Sequence, residues 1–318
     1  MPMNLLTLFS CPKAFTGHDA VIQTNALRNW RALGVDIILL GDDPGVAEAA
    51  AEHGCKHIPQ LSKTEYGTPL LSDIFAKAQE ACTTPLTCYS NADILFPRSL
   101  LIAAQAAAGR FPQFLITGQR WDVDVTEFVT EEDIYTAVAR DLLSTGTLHG
   151  PGGMDYFLFP CGMIAMPPFA IGRPSWDNWM IWQTFSKKIP VVDGTAFIPI
   201  IHQNHNYSHV PGKVAHNWEN SPESIKNREL FKSLCPDVEG LLLTAHVAPW
   251  RIAENGLMER NALAERSAAL ISQGNKEFFD KYPFALKFKC ILKKFGSEKI
   301  YTSIRDVWHM LLLRKYER

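Results

Sequence analysis

Short apolar runs alternate with amphipathic stretches over the first ~95 residues, and this rhythm limits the fold more than any other feature of the chain. Asn4 to Phe9 is a compact apolar run, suited to a buried strand. Ile22, Ala26, Trp30 and Leu33 then recur at helical spacing, and Gly34 closes that helix. Val35 to Leu40 is continuous and rich in branched residues, as strands covered on both faces are. It breaks at Gly41-Asp42-Asp43-Pro44-Gly45, a dense turn signal. The spacing predicts a helix from Val46 to His53, an extended piece around Lys56 to Pro59, a helix from about Pro69 and a strand Leu86 to Ser90. Such β-α alternation implies an α/β fold with a mainly parallel sheet flanked by helices, whose ligands bind beyond the carboxyl ends of the strands. Those ends are Ser10-Cys11-Pro12-Lys13, Gly41-Asp42-Asp43 and Asn91-Ala92-Asp93, and all three are polar.

The second half loses this rhythm. A helix Ser99 to Ala108 and a strand Phe114 to Thr117 lead into Gly118-Gln119-Arg120-Trp121-Asp122. An acidic helix, Glu131 to Ser144, follows. The aromatic and proline-rich segments MDYFLFP, GMIAMPPF, RPSWDNWMIW and VVDGTAFIPIIHQNHNYSH are expected to form a mixed pocket wall on the edge of the sheet. At 318 residues and 47% hydrophobic, the chain has core enough for one large domain or two modest ones. Seven scattered cysteines without a CxxC pair support neither a zinc ribbon nor a disulfide framework, so a reducing cytoplasm is expected. The opening MPMNLLTLFSCPK does not read as a signal peptide, and no run of about 18 apolar residues occurs.

Three groups of residues carry chemistry. Asn91-Ala92-Asp93 places an amide and a carboxylate two residues apart at a strand end, where oxygen ligands can hold a divalent cation on a diphosphate. Asp177 lies between Trp176 and Trp179, where desolvation raises a carboxyl toward the range of a general base; capping the helix Asn178 to Ser186 is the structural alternative. His202, His205 and His209 follow the apolar strand Phe197 to Ile201 and offer metal ligands or phosphate donors, at most one of them binding metal. Lys13, Arg120 and Arg173 are candidate phosphate partners. Neither GxGxxG nor GxxxxGK[ST] is present, which disfavours dehydrogenases and P-loop NTPases.

In this order, YSNADILFP, GQRWDVDV, GGMDYFLFP, IGRPSWDNWMIW and HQNHNYSH resemble the bacterial nucleotide-sugar glycosyltransferases of the GT-A fold, of the family-two-like group, over about residues 4 to 210. The resemblance implies a Rossmann-like catalytic domain over 1–218, with a nucleotide-binding half (1–110) and an acceptor half (111–218), and a helical C-terminal extension over 219–318. It implies that Ser10, Gly41 and Asp42 hold the nucleotide, and that Asn91-Ala92-Asp93 stands at the D-x-D position with Asp93 as its last Asp. It makes Asp177 the catalytic base of an inverting transfer, and it completes the metal shell with His202 or His205. Trp121, Asp155, Tyr156, Trp176 and Trp179 are then expected on the acceptor side. Asn91 replaces the first Asp of the motif, so one charge is missing; the resemblance then leaves two options, Mn2+ or Mg2+ at the motif or a metal-independent site in which Lys13, Arg120 and Arg173 neutralise the diphosphate. The implied role is synthesis of a surface polysaccharide or lipid-linked glycan from a nucleotide-sugar donor. The rivals are a sugar-nucleotide nucleotidyltransferase and a non-catalytic carbohydrate-binding or scaffold protein of the same fold.

Net charge excludes a nucleic-acid partner, since the chain totals -2. That total is uneven. Residues 281–318 hold ten Lys/Arg against three Asp/Glu, a net +7, interleaved with Phe, Ile, Leu and Trp. A basic amphipathic tail of this kind predicts peripheral contact with the inner membrane face, or a hairpin packed on the catalytic domain.

Overall fold

The computed structural model describes residues 4–129, 143–205, 220–236, 238, 243–253 and 256–259. The acidic helix around 131–144, His209 and the basic tail therefore fall wholly or mostly outside the described residues.

The first half follows its apolar pattern. β1 (Leu6–Ser10), β2 (Asp36–Leu40), β3 (Lys56–Ile58) and β4 (Leu86–Ser90) alternate with α1 (Gly17–Ala32), α2 (Val46–Glu52) and α3 (Leu71–Ala81). β1 lies between β2 and β4, parallel to both, and β3 is parallel to β2. The continuous runs are continuous because both faces are covered. Leu6, Leu8, Ile37 and Leu39 turn to one core with Trp30 of α1 and Ala50 of α2; Phe9, Ile38 and Leu40 turn to the other with Ile74 and Phe75 of α3. The helix expected from Pro69 starts at Leu71 instead, because Pro69 and Leu70 are held in isolated bridges to Lys63 and Ala170.

β5 (Ile94–Leu95), α4 (Ser99–Arg110), β6 (Leu115–Thr117), β7 (Arg120–Val123), β8 (Thr147–Leu148) and β9 (Tyr156–Pro160) come next. α5 (Trp176–Ser186), β10 (Val191–Asp193), β11 (Ile200–Gln203), α6 (Pro222–Leu234), β12 (Trp250–Ala253) and β13 (Gly256–Glu259) complete the described chain. The main sheet has nine strands in the order β13-β12-β10-β6-β9-β4-β1-β2-β3. Seven run the same way; β9 is antiparallel to β4 and β6, and β13 to β12. The Rossmann-like, mainly parallel sheet flanked by helices is thus present. MDYFLFP was expected to edge this sheet, but it forms β9 in the sheet interior. Its Phe157, Leu158 and Phe159 are fully buried, and strands buried on both faces take such apolar runs.

A second sheet, β5-β11-β7-β8, is short and carries the site. α1 holds it with polar side chains as well as apolar ones. Asn29 closes a reciprocal pair with the Phe96 backbone, and Trp30 Nε1 donates to the Ile94 carbonyl (2.9 Å). Asn25 donates to Gln203 Oε1 (2.9 Å), and Gln203 Nε2 donates to the carbonyls of Ile22 and Asp93. Residues 250–253, expected as part of a helical extension, instead lie parallel to β10 as β12 and widen the main sheet. Among the described residues no helix is long and apolar enough to cross a membrane.

Candidate metal and donor site

Asp93 owes its position to a change of sheet. β4 ends at Ser90, the chain turns through Asn91 and Ala92, and β5 begins at Ile94 in the second sheet. β5 pairs antiparallel with β11, where His202 stands opposite Ile94. His205 follows two residues beyond β11, and its Nε2 lies 3.1 Å from Asp93 Oδ2; His202 Nε2 lies 3.7 Å from the same oxygen. The carboxylate and the two imidazoles can each offer one ligand atom, all within 4.8 Å of one another. Burial alone would raise the Asp93 carboxyl, but the charges and hydrogen bonds of His202 and His205, with Lys13 behind them, outweigh it and hold it well below the usual carboxylate range. Desolvation lowers the His202 imidazole; Asp93 and Asp122 reverse that and raise it overall.

These residues fit a divalent cation. Asp93 Oδ1 is buried without a hydrogen-bond partner, an expensive state for a carboxylate oxygen and the state expected of a ligand atom. One carboxylate with two imidazoles is a donor set that Mn2+ and related ions accept, leaving positions for water or phosphate. The structure brings both histidines into this cluster, where the sequence expected one.

A ring of charge backs the cluster. In the parallel register of β11 and β7, His202 stands opposite Asp122, and His202 Nδ1 lies 3.1 Å from Asp122 Oδ1. His149 Nδ1 meets Asp122 Oδ2 at 2.5 Å, and Arg120 Nε donates to Asp122 Oδ1 at 2.8 Å. Burial of Asp122 is outweighed by His149, His202 and Arg120, which keep its carboxyl far below the usual range. Arg120 also donates to Asp155 Oδ2 (2.9 Å), while Asn91 Nδ2 donates to Asp155 Oδ1 (2.6 Å). Asp155 precedes β9, whose inverted direction delivers its first residues to the carboxyl end of β4; the Asn91 amide hydrogen accordingly bonds the Asp155 carbonyl (3.0 Å). Asn91 therefore serves as a donor that fixes Asp155. Its oxygen accepts from the Tyr89 hydroxyl.

Asp177 sits in the first turn of α5, not at its cap; Ser175, with φ 87°, is the N-cap. Its Oδ1 accepts from the Asn178 amide (2.9 Å). Desolvation, reinforced by the nearby Asp155 charge, pushes its carboxyl up from 3.8 to about 6. This is the behaviour the flanking tryptophans suggested.

Beyond the end of β1, Lys13 is fixed by its backbone, which exchanges two hydrogen bonds with the buried Gln23 amide of α1. Its Nζ lies 3.5 Å from His205 Nδ1 and 3.7 Å from Asp19. Gly41 takes φ +110°, a left-handed turn that favours glycine, and brings the end of β2 beside Cys11. Asp42 is exposed and pairs with Lys63 (2.6 Å). Ser10 is buried, and its hydroxyl is enclosed. Trp121 of β7 is half-buried, on the strand that also carries Arg120 and Asp122.

Four expectations are corrected. Tyr156 is 0% exposed, and Trp176 and Trp179 are 7% and 5% exposed. Tyr156 packs edge-on against Phe96, Trp176 against Tyr89 and Phe157, and Trp179 against Phe169, so none offers a face to a sugar. Arg173 is also taken up. Its guanidinium is 8% exposed and bonds Glu223 Oε2 through Nε (3.0 Å) and Nη2 (2.6 Å), which places it in a buried pair rather than in the phosphate cluster. Sequence reasoning passed over Asp122 and His149. Asp122 was signalled only by standing two residues after Arg120 on a strand, hence on the same face; His149, in a loop segment, gave no signal.

No protein-family model matches the chain, and no curated protein matches it. Among solved structures, glucosyl-3-phosphoglycerate synthase from Mycobacterium tuberculosis, with Mn2+, UDP and glucosyl-3-phosphoglycerate, aligns with 11% identity and a TM-score of 0.42, over 74% of this chain and 81% of that one. The same enzyme with Mn2+, UDP-glucose and phosphoglyceric acid gives 11% identity and 0.43, over 74% and 80%. Residues 1–349 of S. aureus TarS, with UDP-GlcNAc, give 10% identity and 0.28, over 40% and 37%.

Proposed function

We propose that this chain transfers a sugar from a nucleoside-diphosphate sugar to a hydroxyl acceptor, with inversion at the anomeric carbon. The observation that carries this reading is the placement of Asp93, His202 and His205 at the carboxyl end of β4, with the raised Asp177 carboxyl beyond Asp155. A cation-binding group and a desolvated carboxyl that feels the Asp155 charge are the two functions that a glycosyl transfer of this kind needs. The GT-A resemblance of the motifs supports the same assignment of roles.

Asp93, His202 and His205 would hold Mn2+ or Mg2+, which supplies electrostatic compensation for the charge of the leaving diphosphate. Gly41 and Asp42, at the end of β2, flank the nucleotide. Lys13 faces the phosphates, its backbone locked by Gln23 so that the ammonium is positioned before the donor arrives. Asp177 takes the proton of the acceptor hydroxyl; that oxygen attacks the anomeric carbon as the bond to the diphosphate breaks. Desolvation, with the Asp155 charge adding to it, raises the Asp177 carboxyl to about 6, so near neutrality it is mostly ionised yet basic enough to take a proton. Trp121 is the aromatic that remains for the acceptor side. A role in surface-polysaccharide or lipid-linked glycan synthesis, with residues 281–318 against the inner membrane face, extends this reading.

Incubation with UDP-, GDP- and CMP-sugars, with and without Mn2+, tests it by release of the nucleoside diphosphate. Turnover of one donor that depends on Asp93 and Asp177 is the expected result. Release of pyrophosphate from a sugar phosphate and a nucleoside triphosphate would instead identify a nucleotidyltransferase.

A further inference from the structure

We propose that Asp122 is a positioning residue that turns His202 into the principal imidazole ligand of the site. The proposal rests on the metal reading above and adds a residue outside the ligand set.

The geometry separates the two imidazoles. His202 Nδ1 lies 3.1 Å from Asp122 Oδ1, close enough for a charge contact though off the line of a hydrogen bond; since a carboxylate can only accept, this neighbour favours the proton on Nδ1. In the neutral ring this leaves the lone pair on Nε2, the nitrogen that faces Asp93. His205 is placed differently. Its Nδ1 faces the Lys13 ammonium, which only donates, so that nitrogen presents a lone pair to a cation. An anion behind an imidazole raises its basicity as a ligand and fixes its tautomer; a cation behind it does the reverse.

Asp122 is itself immobilised from three sides. The parallel register of β7 and β11 sets it opposite His202, Arg120 holds Oδ1, and His149 holds Oδ2. Arg120 continues to Asp155, and Asp155 to Asn91, so the residue that replaces the first acid of the motif is tied to the same frame. Asn91 contributes no charge to the cation; the chain instead places a carboxylate one shell further out, behind His202.

Mn2+ titrations followed by electron paramagnetic resonance, on the full chain without donor, test the assignment. Removing such an outer partner lowers metal affinity by about 10- to 100-fold. Asp122→Leu is expected to show that loss, and Asp122→Asn, whose amide oxygen still accepts from Nδ1, to recover part of it. Spin-echo modulation from imidazole nitrogen should be weakened in the Leu variant and retained in the Asn variant. If both variants bind Mn2+ as the parent does, with unchanged nitrogen modulation, Asp122 has no positioning role. A parent chain that binds no Mn2+ would overturn the metal reading and this proposal together. Should Asp122→Leu fail to fold, Asp122→Asn alone decides: an affinity equal to the parent's, with full nitrogen modulation, removes the charge of Asp122 from the account.

Discussion

Asp177 shows how far one side chain was legible. Its tryptophan neighbours announced a desolvated carboxyl, and the structure supplies both the burial and the Asp155 charge that raise it to about 6. Replacing it by Asn is expected to lower kcat by about 100- to 10,000-fold, the range for losing a general base. The parent rate should climb as pH rises through about 6, and that climb should be absent from the variant. Stability runs the opposite way. The folded value exceeds the ordinary 3.8, so the protonated form favours the native state; that stabilisation is complete below pH ~4 and is lost as pH rises through the folded value. Asp177→Asn should therefore melt higher than the parent at pH 8 and alongside it at pH 4. The same tryptophans misled about the sugar. Aromatic side chains bury large areas, and nothing in RPSWDNWMIW distinguishes a ring packed on Tyr89 from a ring open to a ligand.

Among the elements, α1 was half legible. Ile22, Ala26 and Trp30 gave its apolar face correctly, but Gln23, Asn25 and Asn29 are buried too, and these amides hold Lys13, Gln203 and Phe96 in place. A polar residue on a helix reads as solvated unless its distant partner is known, and these partners lie 10 to 178 residues away. Asn29→Ala leaves the Phe96 backbone donor and acceptor unpaired inside the fold, at a cost of about 1–3 kcal/mol in urea unfolding. α6 gives a sharper case. Glu223 bonds Arg173, Thr64 and Thr68; burial would raise its carboxyl, but these partners lower it. Its stabilising share is present at neutral pH and is lost as pH falls through the lowered value. Glu223→Ala should cost about 3–5 kcal/mol, because a buried guanidinium is left without its counter-charge. Pairing Arg173→Met with Glu223→Leu should restore most of it, as a urea series on the four proteins would show.

Across the whole molecule, the alternating first half was read almost strand by strand, since parallel strands covered on both faces write their burial directly into sequence. The inserted β9 and the added β12 were not, because an apolar run does not state which neighbours it pairs with or in which direction. The site inherits this limit: Asn91 and Asp93 stood out at a strand end, whereas the nearness of Asp122 and Asp155 depends on two sheets meeting. Metal binding links the site to the stability of the whole. A cation at 100 times its Kd should stabilise the fold by about 2.7 kcal/mol, an upward shift in Tm that EDTA reverses and Asp93→Asn abolishes. An unchanged melting curve with saturating Mn2+ would count against the ligand set.

β9 also governs the timetable of assembly. It closes the gap between β4 and β6, yet it is made after both, and the intervening chain must wait for a strand that arrives from the opposite direction. Until it docks, the two halves of the sheet have no common partner and present bare edges to other copies. Late non-local pairing of this kind slows folding and lengthens exposure to aggregation. Since Asp155 rides immediately ahead of β9, the proposed site cannot form early in a half-folded chain. Docking of β9 is thus a precondition for the proposed site, whose Asp177, His202 and His205 are synthesised only after it.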